Sequence, residues 1–105
     1  DTYQMNQQQI LNFLGLAMRA GKVKTGESVI LAELKKHRLK LVLIASDASD
    51  NTKNNLINKC HSYQTPYRII SHRDDLGDAL GKSARVNIGI TDQGFAKKLM
   101  SMIDE

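Results

Sequence analysis

The segment GLAMRAGKVKTGESVI, residues 15–30, carries the glycines, the Gly21-Lys22 pair and the cations from which phosphate-binding loops are built. A Walker-type loop needs G-x-x-x-x-G-K-[ST] between a strand and a helix, so that backbone N–H groups cradle the phosphates and a hydroxyl meets Mg²⁺. Here Gly15 is followed five positions on by Ala20, and Gly21-Lys22 by Val23, which has no hydroxyl. The residues before it have helical rather than strand spacing. The segment therefore fails as a nucleotide loop, although its charge and its glycines still need an explanation.

Other chemistry is thin. His37, His61 and His72 are scattered, and Cys60-His61 has no partners at zinc-ligand spacing, so no metal and no cofactor is expected. There is no G-x-S-x-G nucleophile elbow. Cys60 falls on the apolar stripe of a helix and reads as core. Asp74, Asp75 and Asp78 fit the acid preference of a helix start. Asp47 and Asp50 sit past the C-terminal end of an apolar strand, where α/β sheets place ligands, but capping of the following helix explains them equally well. Phe13, Phe95, Tyr63 and Tyr67 fit core positions rather than a stacking platform for bases.

What remains is positive charge combined with backbone geometry. Between residues 19 and 40, Arg19, Lys22, Lys24, Lys35, Lys36, Arg38 and Lys40 face only Glu27 and Glu33. Those seven cations and two carboxylates leave +5, more than the +4 of the whole 105-residue chain. A concentrated basic region on a small domain suits a polyanion. A helix opening at Gly26 offers unpaired N–H groups and the positive end of its dipole, flanked by Lys22 and Lys24. The junction GKSARV, residues 81–86, adds Lys82 and Arg85. If the sheet sets the two loops side by side, they form one basic edge suited to a nucleic acid backbone.

The elements that must do this positioning are legible. Ile10, Leu14 and Ala17 mark an amphipathic helix over 6–20, stopped by Gly21. A short strand follows at 22–24, then a helix from about Gly26 to His37 with Thr25 as its N-cap and Ile30 and Leu34 inward. Residues 40–45 form a buried central strand. Residues 51–64 form a helix with Leu56, Cys60 and Tyr63 on one stripe, broken by Pro66. Residues 67–70 make a strand, and Ser71-His72-Arg73-Asp74 a capping box that opens a helix ending near Gly81. A strand at 86–90 and a last helix, capped by Thr91 or Asp92, complete the chain. Helices alternating with short apolar strands predict an α/β fold, with a small mixed sheet covered on both faces. Residues 6–105 read as a single domain, with residues 1–5 as an N-terminal extension and Met5 as a natural start. No apolar run approaches the roughly 18 residues of a membrane span. With one cysteine and no visible signal peptide, a cytoplasmic protein is expected.

The pieces LGLAMRAGKVKTGE, KLVLIASDAS, KC, TPYRIISHRDDLGDALGK and VNIGITDQGFAKKL, in this order, resemble the kink-turn RNA-binding superfamily of ribosomal proteins 7Ae, 30e and 12e, and within it the small bacterial members. The resemblance implies a three-layer α-β-α sandwich with a four-stranded sheet and recognition of sharply bent RNA. It implies a non-enzymatic protein of the translation apparatus, a ribonucleoprotein component on ribosomal or other structured RNA, with no small-molecule substrate. The family's Gly-x-Asn-Glu motif and following Lys fall on Gly26, Ser28, Val29 and Ala32. Of the three substituted positions only Ser28 can hydrogen-bond through its side chain. The loop that packs on an extruded nucleotide falls on Lys82, Ser83, Ala84 and Arg85, and a further lysine falls on Arg73. The implied RNA-binding set is thus Lys22, Lys24, Thr25, Gly26, Glu27, Ser28, Arg73, Lys82, Ser83, Ala84 and Arg85. Two other readings stand beside it: a protein-interaction module with a basic face, and a nucleotide-binding enzyme working near Asp47.

Overall fold

The computed structural model describes residues 2–105. Five helices and four strands follow in the order α1 (Thr2–Arg19), β1 (Val23–Thr25), α2 (Glu27–Lys35), β2 (Leu41–Ile44), α3 (Asp50–Ser62), β3 (Tyr67–Ile69), α4 (Arg73–Leu80), β4 (Asn87–Ile90) and α5 (Gln93–Asp104). Helix α1 starts at Thr2, four residues ahead of the expected position. Asp1, from the expected extension, lies outside the described residues.

The sheet order is β1-β4-β2-β3. Strand β4 runs antiparallel to both β1 and β2, and β3 runs parallel to β2, so the sheet is mixed as expected. Strands β2 and β4 are buried along their whole length, which is why LVLI reads as a continuous apolar run instead of an alternating one. Each face carries its own core. Leu41, Leu43, Ile88 and Ile90 pack beneath α1, α4 and α5 through Leu14, Leu76, Leu80 and Leu99. Val42 and Ile44 pack beneath α2 and α3 through Ile30, Leu34, Leu56 and Cys60. Burying each large side chain stabilises by about 1.5–3 kcal/mol, so both layers are strongly held. Phe13 and Phe95 join α1 to α5 with ring centroids 5.2 Å apart. Cys60 is fully buried, and burial pushes its thiol up to about 11, so it is an inert packing residue.

Three expected caps are corrected. Thr25 is the last residue of β1, and Gly26, with no side-chain cap, is the N-cap of α2. The Ser71–Asp74 capping box does not form. Ser71 sits at φ 56, and His72 occupies the N-cap of α4 without a side-chain bond. Asp47 is not the cap of α3; Ser49 is, its Oγ accepting the Thr52 N–H at 3.2 Å. The expected cap at Asp92 does form, with Oδ2 accepting the Phe95 N–H at 2.9 Å.

Candidate nucleic-acid interface

Because β4 lies between β1 and β2, the loop before it runs alongside the start of α2. This brings Gly26 and Asn87, 61 residues apart in sequence, to the same end of the sheet. Their segments enclose a cleft of about 370 Å³ lined by Gly26, Glu27, Thr52, Arg73, Ala84, Arg85, Val86 and Asn87. Two larger clefts lie elsewhere among the described residues. One, between α1 and α4, sets Asp75 and Asp78 against Arg19 alone, a net negative lining that does not suit a polyanion. The other, beside β3, gathers none of the expected residues.

The start of α2 is built by Gly26. Its φ of 99° lies in the region that side chains other than glycine's rarely tolerate, and it turns the chain from strand to helix within one residue. Its carbonyl accepts the Ile30 N–H at 2.9 Å, which starts the helix. Its own N–H donates to Asn87 Oδ1 at 2.9 Å. No side chain caps the helix, so its leading N–H groups face outward with the dipole's positive end. Glu27 stands in that first turn, and Ser28 and Val29 are exposed beside it. Val29, 43% exposed, places an apolar surface at the mouth of the site.

The opposite wall is the 82–85 loop. It rests on α4 at Gly77, where an added Cβ would stand 2.2 Å from the Ser83 carbonyl oxygen and 3.0 Å from Ala84 Cα. Only a residue without a side chain lets the loop lie this close. The Arg85 N–H donates to the Arg73 carbonyl at 3.1 Å, tying loop to helix. The Arg85 guanidinium folds back onto Ser83 Oγ at 2.8 Å and onto the Ser83 and Ala84 carbonyls at 3.1 Å each. Arg73 is held from below. Asp47 Oδ1 accepts its backbone N–H at 2.9 Å and Oδ2 its Nε at 3.2 Å. Asp47 thus caps α4, the helix after next. Partial desolvation raises its pKa, but the hydrogen bonds and charge of Arg73 outweigh that and hold the carboxyl below its ordinary value.

Of the expected residues, Gly26, Glu27, Arg73, Ala84 and Arg85 line the cleft, and Ser28 and Ser83 flank it. Thr25 ends the strand feeding it. Lys24 points from the edge strand on the α2 side, and Lys82 is exposed at the start of the loop. Lys22 is not brought in. Its carbonyl accepts the Thr91 N–H at 3.0 Å, at the far end of the sheet, beside Lys40, whose N–H donates to Ile90. Three lining residues, Thr52, Val86 and Asn87, lie outside the expected set. Asn87 had a signal: it is a residue disfavoured in strands, set inside the buried run VNIGI.

Residues 8–100 match the model of the Ribosomal protein L7Ae/L30e/S12e/Gadd45 family. The chain belongs to that family. An RNA-binding protein YlxQ of Bacillus subtilis is 48% identical over 91 residues, covering 87% of this chain and 91% of the relative. The large ribosomal subunit protein eL8 of Thermoplasma volcanium is 28% identical over 97 residues, covering 91% and 80%. A solved Bacillus halodurans protein of unknown function superposes with a TM-score of 0.89 at 44% identity, covering 91% of this chain and 97% of that one. Membership in the L7Ae/L30e/S12e/Gadd45 family agrees with the α-β-α layering, which was expected from the resemblance.

Proposed function

We propose that this L7Ae-family chain binds structured RNA without catalysing a reaction on it, and that it prefers RNA with a sharp kink-turn-like bend, in the cytoplasm and in association with ribosomal RNA. The observation that carries this is the convergence of an uncapped helix N-terminus at Gly26 with the cationic 82–85 loop across one cleft. The names of the relatives, RNA-binding and ribosomal, support the same reading. A straight duplex presents only a regular backbone to such a surface, whereas a bend opens the groove and lets a helix end reach base edges. Lys24, Arg73, Lys82 and Arg85 supply phosphate attraction. The backbone at Gly26, with Glu27 and Ser28, supplies selectivity. Val29 and Ala32 replace polar readers, so the side-chain hydrogen bonds at this helix start are fewer than the family motif implies.

A fluorescence titration tests the reading. Kinked RNA and a straight duplex of equal length are compared at two salt concentrations. The expected result is tighter binding of the kinked RNA at both, with affinity for each RNA falling as salt rises. Equal affinity for the two RNAs would reduce the protein to a general phosphate clamp. Binding of neither would favour a protein partner for the basic surface.

A further inference from the structure

The Asn87 side-chain amide has two ends, and the protein uses one. Oδ1 accepts the Gly26 N–H at 2.9 Å. That donor fixes the orientation of the amide, since the flipped form would set two donors against each other. Nδ2 therefore points away from Gly26. Among the described residues no acceptor takes either of its protons, and Nδ2 is not among the sealed, unpaired side-chain atoms. Asn87 is 3% exposed, and the space it borders is the cleft between α2 and the 82–85 loop. Its position in the strand explains the direction. Gly89, two residues on, lies beneath Ile30 and Leu39, so Asn87 faces the α2 side of the sheet, where a buried strand would otherwise carry an apolar residue.

We propose that Asn87 is a base-reading residue: its amide carbonyl anchors the start of α2, and its Nδ2 donates to an acceptor on a nucleobase edge inserted into the cleft. This rests on the bent-RNA reading above. A base suits the floor of the cleft better than a phosphate does. The charged donors for phosphate are the guanidiniums, each anchored on one side to protein oxygens, Arg73 to Asp47 and Arg85 to Ser83 and Ala84, with further N–H groups left over. The donor at the floor is neutral and directional, which matches a base carbonyl or ring nitrogen. Fixing Nδ2 through a backbone bond also orders it before RNA arrives, so little side-chain freedom is lost on binding.

The test pairs protein variants with RNA variants. Bent RNAs, each abasic at one nucleotide of the kink, are titrated against wild type, Asn87→Ala and Asn87→Asp. The aspartate keeps an oxygen for the Gly26 N–H and removes the donor, and the Gly26 amide proton shift reports whether that bond persists. The alanine adds no charge and so controls for repulsion. The expected wild-type profile shows one abasic position that weakens binding about tenfold, the scale of one well-placed base contact. Both variants bind intact RNA about tenfold more weakly and lose nothing further at that position. Retention of the wild-type profile by both variants overturns the proposal. So does a uniform loss at every position, which would leave Asn87 as a support for α2 alone. A wild type that does not prefer bent RNA to duplex overturns the bent-RNA reading and this proposal with it, before any variant is measured.

Discussion

The two ends of the sheet carry cations in opposite ways. At the end where α2 begins, Arg73 and Arg85 are fixed by named acceptors, and the N–H groups of Gly26 and its neighbours are set by a turn only glycine makes comfortably. At the other end Lys22, Lys35, Lys36 and Lys40 gather around the start of β2, and among the described residues none pairs with a carboxylate. Arg38 there stands 3.8 Å from Glu33. The first end holds its guanidiniums and backbone donors in a defined geometry, with Lys24 and Lys82 exposed beside them. The second has loose charge and little geometry. Charge alone draws any polyanion, while selection among RNAs needs donors held in place.

Substitutions at each end separate the two kinds of surface. The largest effect belongs to Gly26→Val, which forces a β-branched residue to positive φ at a cost of about 1–3 kcal/mol and moves the helix start. Preference for kinked RNA is lost and the melting temperature falls; a variant that keeps both would remove Gly26 from the site. Gly77→Ala comes next. Its Cβ meets the Ser83 carbonyl, so the loop is displaced, and kinked-RNA affinity drops about tenfold while circular dichroism keeps the helical content. Arg73→Ala releases Asp47 and removes one cation, and binding weakens severalfold on both RNAs, most on the kinked one. Lys22→Ala combined with Lys36→Ala has a smaller effect. Both RNAs weaken equally, and the salt slope falls by about one for each lysine that meets a phosphate. A change in preference from that pair would mean that the loose end also selects.

The smallest effect is on acid stability. Asp47 is held below its ordinary 3.8, so its pairing with Arg73 stabilises the fold fully above that pH and fades as pH falls through the lowered value. Asp104, paired with Arg68 at 2.8 Å, behaves the same way. Asp47→Asn should flatten that part of the acid-unfolding profile, measured by fluorescence or circular dichroism.

The layered fold was legible because its signals are local. Gly21 and Pro66 end helices, Ile30, Leu34 and Leu56 keep helical spacing, and LVLI marks a strand buried on both faces. The site was legible only in part, because its decisive contacts span long sequence separations. Asp47 caps a helix 26 residues away, which the pattern Ser71-His72-Arg73-Asp74 conceals by offering a local cap that does not form. Asn87 holds a residue 61 positions away. The charge count misled for a different reason. Helix α2 runs back along the sheet from Gly26, and its nine residues span roughly 13 Å, so cations adjacent in sequence finish at opposite ends.

The proposed reading of bent RNA at the Gly26–Asn87 end is open to direct test. Backbone amide shifts of the labelled protein, followed while kinked RNA and straight duplex are added in turn, test it most directly. Saturable shifts are expected at Gly26, Glu27, Ser28, Arg85 and Asn87 with kinked RNA, and the duplex should not reproduce them. Shifts centred on Lys22, Lys36 and Lys40, or the same pattern with both RNAs, would contradict it.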